Sequence, residues 1–148
     1  MILDKKGYDL IQEFEGLRLK AYRDSVGIWT IGVGNIVYED GSKVKQGDTI
    51  TAERARTLFE GTACQFSFKV NKMVKKPVTQ NQFNALVSLA YNIGLGAFEK
   101  STLLRLVNNN PNDANIAKEF LKWKNAGGKV IQGLLNRRIK ESAVYFSK

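Results

Sequence analysis

Glu13-Phe-Glu-Gly-Leu-Arg-Leu-Lys-Ala-Tyr-Arg-Asp24-Ser-Val-Gly-Ile-Trp-Thr30-Ile-Gly-Val-Gly-Asn35 is the stretch around which this chain is organised. It starts at the end of an amphipathic helical pattern and runs directly into glycine-punctuated, β-rich sequence. Within it Glu15 is followed after eight residues by Asp24, and Asp24 after five more by Thr30. Two carboxylates and a hydroxyl on backbones of different kind, drawn together by a tight turn, have the makings of a glycoside hydrolysis site. One carboxyl would donate a proton, the other would stay ionised as stabiliser or base, and the hydroxyl would hold a water.

Working outward, Asp4 can cap a first helix whose apolar face is Leu10, Ile11 and Phe14, and Gly16 supplies its stop. Glu15 then falls on the last helical turn. Leu17, Leu19 and Ala21, then Ile28 to Ile31, then Ile36 to Tyr38 read as three short strands, with turns at Gly27, Gly32, Gly34 and Asp40-Gly41. This predicts a small antiparallel three-stranded sheet over about residues 17–45, too small to stand alone. Thr51 caps a long helix through Leu58, Cys64, Phe68, Val70 and Met73 up to Pro77. At about 25 residues, or ~37 Å, it is long enough to tie two lobes together.

Beyond it, Thr79-Gln-Asn-Gln82 has the form of a capping box and opens a helix through Phe83, Leu86, Val87, Ala90 and Tyr91. Asn92 to Phe98 breaks that helix, and Ser101 caps a short one. Ile116, Phe120 and Trp123 mark another. After the break at Ala126-Gly-Gly128, Leu134, Leu135, Ile139, Ala143 and Phe146 outline a last amphipathic helix. Strands segregated from helices predict an α+β fold. The expected layout is one domain over 1–148, with a sheet lobe at about 15–50, a linking helix at about 52–76 and a helical lobe at about 77–148 plus 1–14. The groove between the lobes is the default binding site.

Composition narrows the chemistry. The 148 residues suit one domain with a real core. There is no histidine and a single cysteine, Cys64. Ser/His/Asp triads, histidine-rich zinc sites and internal disulfides are therefore excluded, and acid–base work falls to the fourteen carboxylates. No metal or cofactor is expected. Cys64 reads as a small buried hydrophobe, and Trp29 and Trp123 as packing residues. The formal charge of +9 favours polyanionic partners, an anionic envelope surface among them. A basic, non-enzymatic module binding envelope lipid or nucleic acid is the competing reading, but no nucleic-acid motif supports it. No apolar run reaches transmembrane length, and Met1-Ile-Leu-Asp-Lys-Lys lacks the apolar core of a secretory signal.

The opening stretch resembles the phage-type lysozymes, or endolysins, of glycoside hydrolase family 24, the family of the T-even phage lysozyme. It carries their Glu-x8-Asp-x5-Thr spacing as Glu15, Asp24 and Thr30, with Glu15-Gly16-Leu17 and Thr30-Ile-Gly-Val-Gly34. The likeness continues through Gln80 to Leu86, Tyr91-Asn92-Ile-Gly94, Phe98 with Ser101, Trp123-Lys124 and Gly133-Leu134 with Arg137-Arg138. The lambdoid-type endolysins look closer than the T-even enzyme. The resemblance implies a lysozyme-like fold and hydrolysis of the β-1,4 bond between N-acetylmuramic acid and N-acetylglucosamine in bacterial peptidoglycan.

By the same resemblance Glu15 is the general acid, Asp24 the base or electrostatic stabiliser, and Thr30 the residue that orients water. The general acid must hold its proton, which partial desolvation would favour. Ile36, Tyr91, Asn92 and Ser101 match positions that meet substrate, although Tyr91 also reads as a core residue. Arg137 matches a position supporting the catalytic Glu, and equally suits a solvent-facing helix arginine. The resemblance further implies a monomer that acts without nucleic acid, accumulates in the host cytoplasm and reaches periplasmic peptidoglycan through a holin. One residue departs from the pattern: Asn35 stands where the family has a His that pairs with an Asp, so an ion pair is lost while a hydrogen bond remains open to it.

Overall fold

In a computed structural model describing every residue except Ser25, the described residues form seven helices and two small sheets. Contacts group it into two units, one of residues 11–65 and one of residues 1–10 with 66–148.

In residues 11–65, helix α1 (Lys5–Glu15) ends and strand β1 (Arg18–Arg23) pairs antiparallel with β2 (Trp29–Gly32). Asp4 does start α1, accepting from the Gly7 amide at 3.0 Å, and Gly16 ends it with φ +74°. Across the hairpin Tyr22 lies opposite Thr30. Alternation along the strands therefore sends Ala21 and Ile31 to one face and Tyr22 and Thr30 to the other. Ala21 and Ile31 pack with Val44 and Leu58, and Trp29, Tyr38 and Ile50 close over them.

The expected third strand is reduced to single bridges, Val37 with Lys43 and Ile31 with Asn35, so the sheet of this unit has two strands. The cause is the turn at 31–35. Ile31 and Asn35 exchange both backbone hydrogen bonds, at 2.8 and 2.9 Å, while Gly32 and Gly34 take positive φ, so the chain closes on itself. Leu17 and Leu19 were expected to alternate inward, but they are exposed, and only Ala21 of that series is buried.

Helix α2 (Ala52–Met73) starts where Thr51 Oγ1 accepts from the Arg54 amide at 3.1 Å. Its buried seam is Ala55, Leu58, Phe59, Ala63, Ser67 and Val70. Cys64 and Phe68 sit one position off that seam and are exposed, contrary to the reading of Cys64 as buried. Small Ala63 and polar Ser67 carry the seam because the chain approaches closely there: Ser67 Oγ accepts from the Leu3 amide at 3.0 Å.

In the second unit α3 (Gln80–Ile93) is the most deeply buried element, every residue from Gln82 to Ala90 being inside. Its capping box forms as expected between Thr79 and Gln82. Where a plain break was expected at 92–98, Gly94 with φ +94° turns the chain into a further short helix, α4 (Leu95–Glu99), and α5 (Thr102–Asn109) and α6 (Asn115–Leu121) follow. Where a simple helix break was expected at 126–128, Gly127 and Gly128 instead turn a two-residue hairpin of β3 (Asn125–Ala126) and β4 (Lys129–Val130).

Helix α7 (Gln132–Phe146) departs from the expected face. Leu134 and Leu135 are half-buried but Ile139, Ala143 and Phe146 are exposed, whereas Arg137, Arg138, Glu141 and Tyr145 are buried. Among the described residues no helix is long and apolar enough to cross a membrane.

Candidate active site

Glu15 is the last residue of α1, where the glycine stop holds the helix tip rigidly. Its carboxylate rests on the backbone of Gly34: a Cβ at Gly34 would stand 2.5 Å from Glu15 Oε1. The φ of +75° is what favours glycine at position 34, and any side chain there would also push the Glu15 carboxylate aside. The Gly-Val-Gly segment is therefore both a turn and the seat of the acid.

Asp24 ends β1 and organises the hairpin loop. Its Oδ1 accepts from the amides of Val26 at 3.0 Å and Ile28 at 2.8 Å. Its own amide donates to Ile28 O at 3.0 Å. A carboxylate anchored this way is held in one place on the turn. Thr30 is buried at 3%, and its Oγ1 donates to Ile28 O at 2.9 Å. With its hydrogen committed, the hydroxyl has only lone pairs to offer, so a water meeting it must donate.

Tyr22 links these groups and was not singled out in the sequence. It lies opposite Thr30 in the hairpin, and the Arg18 guanidinium sits 4.7 Å above its ring. Burial pushes its phenol up from the ordinary 10.0, and the negative charges of Glu15 and of Asp24 push the same way, while Arg18 pulls it back. One phenol thus feels both carboxylates. Its position two residues before Asp24, on the strand face shared with Thr30, was the signal that could have found it.

The other expected residues fall as follows. Ile36 is 45% exposed just after the glycine turn. Asn92 is exposed, and Tyr91 is half-buried with its ring 5.1 Å from that of Phe66. Ser101 is buried and caps α5: its Oγ accepts from the Leu104 amide at 3.1 Å and donates to Phe98 O at 2.6 Å. Asn35 keeps a hydrogen bond, donating from Nδ2 to Thr62 Oγ1 at 2.9 Å.

Arg137 is not a solvent-facing arginine. It is 5% exposed, with Nε 3.1 Å from Glu141 Oε2 and Nη2 donating to Ser88 O at 3.1 Å. Glu141, wholly buried, also takes Arg138 at 2.7 Å and the Ser88 hydroxyl at 2.5 Å. Among the described residues no group of His, Cys, Asp and Glu could hold a metal ion.

A helix-rich chain with a small antiparallel hairpin, an acid at the first helix tip and a second acid on the hairpin defines the class of small lysozyme-like α+β proteins. The family described as phage lysozyme matches residues 12–141, and the chain belongs to that family. An endolysin of Bacillus phage PZA is 46% identical over 99% of this chain, and the chain spans 56% of that relative's length. An endolysin of Salmonella phage P22 is 43% identical, with 99% of each chain covered. The structure of an endolysin from Escherichia coli O157:H7 phage FAHEc1 superposes with a TM-score of 0.89 at 43% identity, covering 99% of this chain and 94% of that one.

Proposed function

We propose that this protein is an endolysin, a muramidase that cleaves the β-1,4 bond between N-acetylmuramic acid and N-acetylglucosamine in bacterial peptidoglycan and so lyses the host cell. The observation that carries the reading is the Glu15 carboxylate seated on Gly34 beside a phenol that also feels Asp24. Membership of the phage lysozyme family supports the same chemistry.

In this reading Glu15 delivers its proton to the glycosidic oxygen as the bond breaks. Asp24, pinned by two backbone amides, faces the positive charge that grows at the anomeric carbon, or takes the proton of the attacking water. Thr30 supplies the acceptor to which that water donates, which turns a water lone pair toward the sugar. Ile36, Tyr91, Asn92 and Ser101 meet the glycan, and Arg137 has a supporting role. The protein works as a monomer, without metal, cofactor or nucleic acid. It accumulates in the host cytoplasm and passes to the periplasm through a holin, with its surplus charge drawing it to the anionic envelope.

The test is Glu15→Gln in a turbidity assay on permeabilised Gram-negative cells. Clearing is expected to fall by about 10²–10⁴-fold, the usual weight of a positioned acid, with the melting temperature unchanged. Clearing at the native rate would refute the reading. Killing of intact cells that survives the substitution would favour the alternative, a basic module acting on the envelope by charge alone.

A further inference from the structure

The unit of residues 1–10 and 66–148 carries a cavity of about 350 Å³ that the hydrolysis does not use. It is lined by Lys69, Lys72, Met73, Lys75, Glu99 and Leu104. Its volume is that of a small-ligand site. Lys69 and Lys72 stand on the last turns of α2 and Lys75 two residues beyond its end, while Glu99 ends α4.

The wall is pre-organised. The Asn108 side chain accepts from the Lys75 amide at 2.7 Å and donates to Met73 O at 3.0 Å, which fixes the exit from α2. Lys75 Nζ donates to Lys72 O at 2.6 Å, and Lys72 Nζ lies 4.5 Å above the ring of exposed Phe68. Cations at a helix C-terminus offset its dipole, which accounts for Lys72 and Lys75. It does not account for Lys69, for the apolar lining by Met73 and Leu104, or for a carboxylate lining the same cavity as three lysines.

A bare phosphate concentrates its charge, is repelled by Glu99 and leaves the apolar lining unused. A ligand with separated carboxylates, one ammonium and short aliphatic groups engages every lining residue. We propose that this cavity binds a short acidic peptide of the kind borne by the muramic acid of peptidoglycan. Lys69, Lys72 and Lys75 take its carboxylates and Glu99 its free amine. The diaminopimelate-containing stem tetrapeptide, acylated at its first alanine as it is in the wall, offers three carboxylates and one ammonium. Only this choice of peptide rests on the hydrolase reading above.

The experiment titrates the full chain with N-acetyl stem tetrapeptide by calorimetry at low ionic strength. Native protein is expected to bind it, and the variant Lys69→Gln/Lys72→Gln/Lys75→Gln to bind at least ten-fold more weakly. Glu99→Gln should weaken binding of that peptide several-fold, yet leave unchanged the affinity for a peptide whose side-chain amine is also acetylated. Thermal unfolding of each variant establishes that it is folded. Equal affinity of the triple variant and the native protein would overturn the proposal. So would tighter binding of inorganic phosphate or phosphatidylglycerol vesicles than of the peptide through the same lysines. Since no bond is cut in the titration, its failure is separate from failure of the Glu15→Gln clearing test, and either reading can fall alone.

Discussion

Gly34 shows how one residue type can serve two demands at once. In the sequence it reads as a turn glycine, and its positive φ bears that out. The structure adds the second demand, since any side chain there would displace the Glu15 carboxylate. Gly34→Ala is therefore expected to cost about 1–3 kcal/mol in strain. With Glu15 as the proposed proton donor, it should also lower clearing by roughly ten-fold or more, because small displacements of a reacting group are expensive. Chemical denaturation and turbidity measured on the same preparation separate the two effects. Tyr38 carries a second prediction. Burial, the hydrogen bond it donates to Asp48 at 2.7 Å and the charge of that carboxylate raise its phenol from 10.0 to about 12. A raised value means its contribution is complete below pH 10 and is lost as pH climbs toward about 12. Asp48 is shifted the other way, held low by the Lys45 amide and the Tyr38 hydroxyl, so its contribution is lost in acid, below the ordinary carboxylate range. Tyr38→Phe should cost about 1 kcal/mol at neutral pH and flatten the fall in stability on both flanks. Stability measured against pH for the two proteins checks it. Tyr145, raised by burial, leaves part of the alkaline fall in place.

At the scale of elements, capping and turn chemistry were legible, and the choice of buried face was not. The Thr79–Gln82 box, the Asp4 and Ser101 caps and the Gly16 stop all follow from local backbone hydrogen bonding, which needs only near neighbours. Helices α2 and α7 failed the apolar pattern for opposite reasons. In α2 the seam runs through Ala63 and Ser67, too small or too polar to announce burial. In α7 the inward face holds two arginines and a glutamate, and Glu141 together with Ser88 on α3 meets the arginines inside. Such a cluster depends on all its members. Glu141→Gln would remove the buried carboxylate that both guanidinium groups share, and is expected to destabilise the fold by about 3–5 kcal/mol. A urea denaturation midpoint moved well below that of the native protein would be the sign. A midpoint left in place would mean that Ser88 and the backbone suffice.

The whole molecule is governed by its charge. On the proposed reading a formal +9 draws the chain to an anionic wall, and the Debye length shrinks from about 10 Å at 0.1 M salt to about 3 Å at 1 M. Clearing of cells is expected to fall steeply over that range while the melting temperature changes little, and rates read at several salt concentrations test it. Clearing indifferent to salt would assign the surplus charge no part in approach. Taken alone, the sequence determined the α+β class, the order of the helices other than α4, the hairpin between Arg18 and Gly32 and the three candidate catalytic positions. Those features are written in local periodicity, in glycine placement and in the spacing of two acids and a threonine. Only the tertiary structure decided that the sheet is a bare hairpin, that Gly34 seats Glu15, that Tyr22 lies within the field of both acids and that α7 turns its charges inward. Each of these depends on which distant groups meet, and the free energy of burying a charge or closing a glycine turn is set by that neighbour, not by the residues alongside it in the chain.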